Sequence, residues 1–260
     1  MNAVSTRKFI NSLTHVCGQM LIKNFGRIQV CERKTGRDIV TDIDRKVENK
    51  IIQSIRKNYP DHSIYSEETD KIIGRSEYLW IIDPLDGTVN YTSGIPLFCV
   101  SIGLVHRDQC LYGAVYAPYL REFFYAEKNR GAYFNHRKIF VSKTKKLEDS
   151  IIHVGLSPHY SPALIRKNWQ IIQPLSHKVR GLRMFESGPL TSCYVACGRI
   201  DGKISIKTDA FGNAASSLIV EEAGGMVTDF QGQPWRAEMK DMICSNKFIY
   251  HRIKKLVQSY

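Results

Sequence analysis

The stretch Trp80-Ile81-Ile82-Asp83-Pro84-Leu85-Asp86-Gly87-Thr88-Val89-Asn90-Tyr91 decides how the chain is read. An apolar run ends in Asp-Pro, and a residue before proline is pushed towards extended backbone, so Asp83 closes a strand. Asp86 then projects from the loop that follows, where Gly87 permits a tight backbone path. Two carboxylates therefore meet at one strand end. So placed they raise each other's pKa unless a cation lies between them, and oxygen-only ligands point to a hard ion such as Mg2+. Asp-Pro and Asp-Gly are equally the dipeptides of ordinary turns, and on these residues alone both readings stand.

Upstream, Ser66-Glu67-Glu68-Thr69 follows a strand-like Ser63 to Tyr65 and adds a carboxylate pair that also reads as a solvated acidic turn. Asp38-Ile39-Val40-Thr41-Asp42-Ile43-Asp44 supplies three more, equally suited to the start of a helix, where the dipole favours negative charge. That helix is marked by Val47, Ile51, Ile52 and Ile55, capped by Thr41 or Asp42 and stopped by Tyr59-Pro60-Asp61. An earlier amphipathic helix is spaced by Phe9, Leu13, Val16 and Met20 and ends near Gly26. From Ser63 to about Phe140 the pattern is of short strands, with Arg107-Asp108 as a hairpin turn. Beyond Ser150 strands and helices alternate: a helix from about Gly212 to Glu222, a strand at Met226 to Thr228, and a last helix from Ser245 to Val257.

At 260 residues, 43% hydrophobic and 24% charged, the chain is a folded globular protein and not a disordered one. Without repeat or linker it reads as one compact unit of two subdomains, residues 1–145 and 146–260. The net charge of +12 attracts anions and does not choose among phosphorylated metabolites, nucleic acid and counter-ions. The seven cysteines are scattered without zinc-site spacing; Cys193 and Cys197 read as buried thiols on one helix face. That usage suits a reducing compartment, and no run approaches the roughly 20 apolar residues of a spanning helix, so a soluble cytoplasmic protein with no membrane partner is expected. The eight histidines have no metal-ligand spacing, and no phosphate-binding glycine loop is present.

Taken together, the acidic motifs resemble the inositol monophosphatase family of Mg-dependent phosphatases. Lys34 to Asp44 matches a Lys followed by D-x-V-T-x-x-D, Ser66 to Thr69 matches G-E-E-S, and Asp83 to Tyr91 matches D-P-I/L-D-G-T-x-N-F/Y. Ala214 to Gly225 matches a final signature, so the likeness covers nearly the whole chain. The resemblance implies an α/β fold, a layered αβαβα sandwich, a homodimer, and Mg2+-dependent hydrolysis of a small phosphate monoester with two or three Mg2+ ions. It implies Glu67, Asp83 and the Leu85 carbonyl as ligands of the first metal, and Asp83 and Asp86 in the shell of the second. Glu67 and Thr88 would hold the attacking water, with Asp44 hydrogen-bonded to Thr88. Asp86, Gly87, Thr88 and Ser187 would meet the substrate. Paired metals suit such chemistry, since they can generate the nucleophile and neutralise the leaving oxygen.

The departures bear on substrate and metal. In the family's W-D-x-A-A-G signature, Phe211 falls on the Trp and Gly212 on the Asp, which ligates the second metal and contacts substrate hydroxyls. Asp209 reads first as a helix cap and second as a substitute ligand. Ser205 falls where inositol-hydrolysing members carry a Glu, and Glu186-Ser187-Gly188-Pro189 replaces Gly-Ser/Thr-Ala-Ala. Losing fixed acceptors removes discrimination for a polyol, so inositol phosphate is a doubtful substrate. The rival expectation is a phosphatase-fold protein of weakened catalysis whose basic surface binds RNA or a protein partner.

Overall fold

A computed structural model of the chain describes residues 3–27, 30–33, 39–155 and 160–259; Lys34, Asp38 and His159 lie outside them. In chain order the elements are α1 (Ala3–Asn24), β1 (Val30–Arg33), β2 (Ile39–Thr41), α2 (Asp42–Asn58), β3 (Ser63–Ser66), β4 (Tyr78–Asp86), α3 (Thr88–Thr92) and β5 (Cys99–His106). There follow β6 (Gln109–Ala117), β7 (Glu122–Glu127), β8 (Gly131–Phe134), β9 (Arg137–Lys138), β10 (Ile151–Val154), α4 (Pro162–Ser176), β11 (Gly181–Arg183) and α5 (Gly188–Ala196). The chain closes with β12 (Gly202–Ser205), α6 (Ala210–Glu222), β13 (Gly225–Thr228), β14 (Met242–Asn246) and α7 (Tyr250–Val257).

Strand alternation sorts these elements into layers. In β4, Trp80 and Ile82 turn to one side and join Val100, Ile102 and Leu104 of β5 beneath α1 and α2, while Ile81 turns to the other side, where α5 and α6 lie. The sheet so covered has seven strands, in order β3 to β9, with β3 parallel to β4 and the rest antiparallel. A second sheet, ordered β11-β10-β12-β14-β13, lies beyond α5 and α6 and is covered on its far face by α4 and α7. The αβαβα sandwich expected from the resemblance is the fold. Because α6 must approach the first sheet closely, Gly103 and Gly113 stand under it: a Cβ at 103 would lie 3.2 Å from that of Ala214, and one at 113 only 2.5 Å from the Ala215 carbonyl.

The local signals read from the sequence form as follows. Gly26 lies past the end of α1 with φ +78°, Thr41 precedes α2, and Arg107 and Asp108 take φ of 47° and 63°, as a two-residue hairpin turn requires. Three details differ. Asp86 belongs to β4 and not to a loop: Asp83 pairs with Ser101 and Asp86 with Cys99, so Pro84 and Leu85 oppose Val100 alone in a bulge that also accommodates a proline without N–H. Helix α6 begins two residues before Gly212, at Ala210. The last helix does not begin at Ser245, because Cys244 and Ser245 are hydrogen-bonded into β14 between β12 and β13. The six cysteines whose side chains are described carry free thiols; Cys193 is buried in α5 and Cys197 is half-buried just past its end.

Candidate active site

The β4 bulge sets the geometry of the acidic cluster. It folds back on itself through the Leu85 N–H, which donates to Asp83 Oδ1 at 3.1 Å. Gly87 then turns the chain with φ +83°, and a Cβ there would lie 2.8 Å from the Leu97 carbonyl, so only glycine fits. Asn90 Nδ2 donates to the carbonyls of Leu97 and Phe185, each at 2.8 Å, and ties the start of α3 to the segment entering α5. That tie brings Ser187 onto Asp86, whose Oδ2 accepts from the Ser187 hydroxyl and, at 3.7 Å, from the Cys99 thiol; its Oδ1 accepts from the Gly188 N–H at 3.3 Å. Ser187 is buried and holds Asp86 through its hydroxyl.

Helix α2 supports the cluster from the other side. Asp44 accepts from the Thr41 N–H at 2.9 Å and from the Thr41 hydroxyl. The Thr88 hydroxyl donates to the Leu85 carbonyl at 3.0 Å, so it is directed to β4 and not to Asp44 as expected. Glu48, unremarked in the sequence, is buried; it accepts from the Glu68 N–H at 3.1 Å and from the Thr69 hydroxyl at 2.5 Å. It thereby seats the turn that carries Glu67 to the rim.

A cavity of about 410 Å³ opens at this point. Glu67, Asp83, Leu85, Asp86, Gly87 and Thr88 line one part of it. Ser187, Ser205, Asp209 and Gly212 line the rest, so every expected site residue but Asp44 and the undescribed Lys34 reaches its wall. A cavity of about 500 Å³ lies elsewhere, beside Phe9, Tyr59, His62 and Tyr78, with Asp61 its only lining carboxylate among the described residues. The chemistry-bearing groups are in the smaller one.

Burial and mutual repulsion dominate its electrostatics. Burial first, then the charges of Glu67, Asp86, Asp209 and Asp44, push the Asp83 carboxyl well above its usual range. Asp86 is pushed up to about 6 by burial, against the Ser187 hydrogen bond and the Lys203 charge. Asp44 also rises to about 6, mainly by burial. Carboxyls so crowded ionise together only beside a cation, and an all-oxygen donor set fits Mg2+. Among the described residues no three His, Cys, Asp or Glu side chains enclose an ion by themselves, so the Leu85 carbonyl, phosphate and water would complete any shell.

Two features besides Glu48 escaped the sequence. Lys203 projects from β12 towards α5 and α6, where it is only 2% exposed; a lone Lys within Gly202-Lys203-Ile204-Ser205-Ile206 was the available signal. Its Nζ donates to the Gly188 carbonyl at 2.9 Å and to Ser192 Oγ and Asn213 Oδ1, each at 3.1 Å. The second is steric. A Cβ on Gly212 would sit 3.6 Å from Asp83 Oδ2 but 2.9 and 3.1 Å from Cγ and Cδ of Pro189. Asp209 caps α6 by accepting from the Gly212 N–H at 3.2 Å. At the far end, a Cβ on Gly155 would be flanked by His153, Tyr160 and Ser205, within 3.9 Å of each, while Phe211 packs on Tyr65 with ring centroids 4.4 Å apart.

An acidic pocket thus opens on an αβαβα sandwich, and comparison with known proteins places both in a family. The inositol monophosphatase family model matches residues 3–260, and the chain belongs to that family. It is 37% identical over 250 residues to a fructose-1,6-bisphosphatase/inositol-1-monophosphatase of Thermotoga maritima, covering 96% of this chain and 94% of that one. It is 39% identical over 216 residues to the Nus factor SuhB of Haemophilus influenzae, covering 82% and 80%. The crystal structure of the extragenic suppressor protein suhB from Bartonella henselae superposes with a TM-score of 0.93 at 32% identity, covering 98% of both chains. Family membership supports phosphatase activity. Among the described residues no helix is long and apolar enough to cross a membrane.

Proposed function

We propose that the chain is a Mg2+-dependent hydrolase of a small phosphate monoester, acting by direct attack of water without a phosphoenzyme. The observation that carries this reading is the convergence of Glu67, Asp83, the Leu85 carbonyl and Asp86 on one cavity, in which burial and the neighbouring carboxylates push the Asp83 carboxyl well above its usual range. These four groups would hold Mg2+, which when bound supplies positive charge for the phosphate and lowers the pKa of water. The Glu67 carboxylate at the rim would take the proton of the water, which the Thr88 hydroxyl oxygen helps to orient; Asp44 steadies the start of α2 beneath them. The water oxygen bonds to phosphorus as the ester P–O bond breaks, and the leaving oxygen takes a proton from solvent. Ser205 stands in the pocket wall where inositol-hydrolysing members carry a Glu, which disfavours inositol phosphate, while Glu186 and Asp209 of the same lining remain as acceptors for the hydroxyls of another sugar or nucleotide phosphate.

The test is phosphate release from a panel of phosphomonoesters titrated with Mg2+. Release should depend on the metal, and Asp86→Asn should lower it on the order of 100-fold with the fold intact. Full activity in that variant would remove the reading. The same reading includes a homodimer in the cytoplasm, and light scattering that found only monomer would remove that part of it.

A second reading, binding of RNA or a protein partner, is favoured by relatives named Nus factor SuhB and by the net charge of +12. Retention on RNA that falls steeply with salt would support it.

A further inference from the structure

Hydrolysis as described leaves a buried charge without a task. The Lys203 ammonium has three hydrogens and meets three acceptors, the Gly188 carbonyl, Ser192 Oγ and Asn213 Oδ1. Each acceptor is fixed. Asn213 is oriented because its Nδ2 donates to Thr208 Oγ1 at 2.6 Å and to the Asp209 carbonyl at 2.9 Å, which leaves only its oxygen for Lys203. Ser192 donates its own hydroxyl to the Gly188 carbonyl at 3.2 Å and so presents a lone pair. All three partners are neutral, and a buried cation requires a counter-charge. Burial pushes the Lys203 pKa down, and the charges of Asp86 and Asp209 in the pocket act against that and favour the ammonium. Lys203 Nζ and Asp86 Oδ1 face the same point: a Cβ on Gly188 would lie 3.5 Å from the first and 3.9 Å from the second. Across the pocket, Pro189 fills the space into which a side chain at 212 would grow towards Asp83. A position for one more carboxylate has been closed, and a positive charge has been built in nearby.

We propose that the Lys203 ammonium is a resident cation of this pocket, a positioning residue that offsets the charge of Asp86 and attracts phosphate in place of a further metal ion, so that the chain holds a single tightly bound divalent ion. The inference rests on the phosphatase reading of the pocket and adds the number of ions and the residue that substitutes for one.

The experiment counts ions. Mn2+ is titrated into the full chain, with and without inorganic phosphate, and free Mn2+ is followed by electron paramagnetic resonance for the natural sequence and for Lys203→Met. The natural chain should bind one tight Mn2+. Removing a positive charge favours cations and disfavours anions, so Lys203→Met should bind Mn2+ on the order of tenfold tighter, or bind a second ion, and bind phosphate on the order of tenfold more weakly. Two or more tight ions on the natural chain overturn the proposal, and this count stands even if Lys203→Met does not fold. A folded Lys203→Met with both affinities unchanged overturns it as well, and so does the loss of both together, which marks a merely structural lysine. If the opposite shifts are found but no phosphomonoester is turned over, the phosphatase reading fails and the assignment of Lys203 stands.

Discussion

Gly212 carries more consequence than the loss of one ligand. Its neighbour Pro189 stands where a Cβ would go, so restoring aspartate at 212 meets a ring at 2.9 Å. Gly212→Asp alone should destabilise the protein by about 1–3 kcal/mol through overpacking, visible as a lowered melting temperature. Pro189→Ala in the same chain should recover most of that loss and strengthen metal binding; a single variant as stable as the parent would show that the ring moves aside without cost. His153 makes a second prediction. Buried beside Phe185 and repelled by Lys203, it is held neutral with its pKa pushed down to about 3 from 6.5, chiefly by burial. The unfolded chain takes up a proton there as pH falls below 6.5 and the folded one does not, so stability is lost between 6.5 and 3 on lowering the pH. Denaturant titrations across that range should find His153→Gln less acid-sensitive, by on the order of a few kcal/mol at the low end. Residues such as Asp83, Asp86 and Gly87 were legible in the sequence because their task is defined within nine residues of chain. Lys203 and Glu48 were not, because their partners lie in segments brought together only by folding, and the Gly212–Pro189 clash joins positions on two different helices.

At the level of elements, α6 is the piece on which both sheets depend. It rests on Gly103 and Gly113, and Gly94, in the loop after α3, is the measure of a glycine that nothing packs against. Gly113→Ala would drive a methyl to 2.5 Å from the Ala215 carbonyl, a backbone atom that cannot rotate away, and should cost about 3 kcal/mol or more. Gly94→Ala meets nothing within 4 Å and bears only the penalty of its left-handed φ of +75°, about 1 kcal/mol. Thermal melts of the two variants should fall in that order; equal melts would mean that α6 lifts readily from the sheet. The same packing explains where element boundaries were misread. Ser245 continues an apolar run that suits helix or strand equally well, and its neighbours β12 and β13 decide for strand. Asp86 looked like a loop residue because Pro84 breaks the alternation, yet a bulge lets the strand resume beyond it.

Across the whole molecule, one hydrophobic cluster runs from Ile81 and Val115 of the first sheet through Leu190 and Leu218 to Val227 and Cys244 of the second. The segments before and after residue 145 therefore share a core. Calorimetry should record a single unfolding transition, with calorimetric and van't Hoff enthalpies equal; two separated transitions would show that the halves hold together independently. The layered architecture was accessible from the sequence only through the family likeness, since periodicity distinguishes helix from strand but does not say which helices lie between which sheets. The shared helix layer also has a practical consequence. The cavity takes its walls from the end of β4, from α5, from β12 and from the start of α6, so no part of it outlasts the core. Heat inactivation, followed with nothing more than a phosphate dye, would then report the melting of the entire chain, and a ligand seated in the cavity would protect residues as distant as the far faces of both sheets.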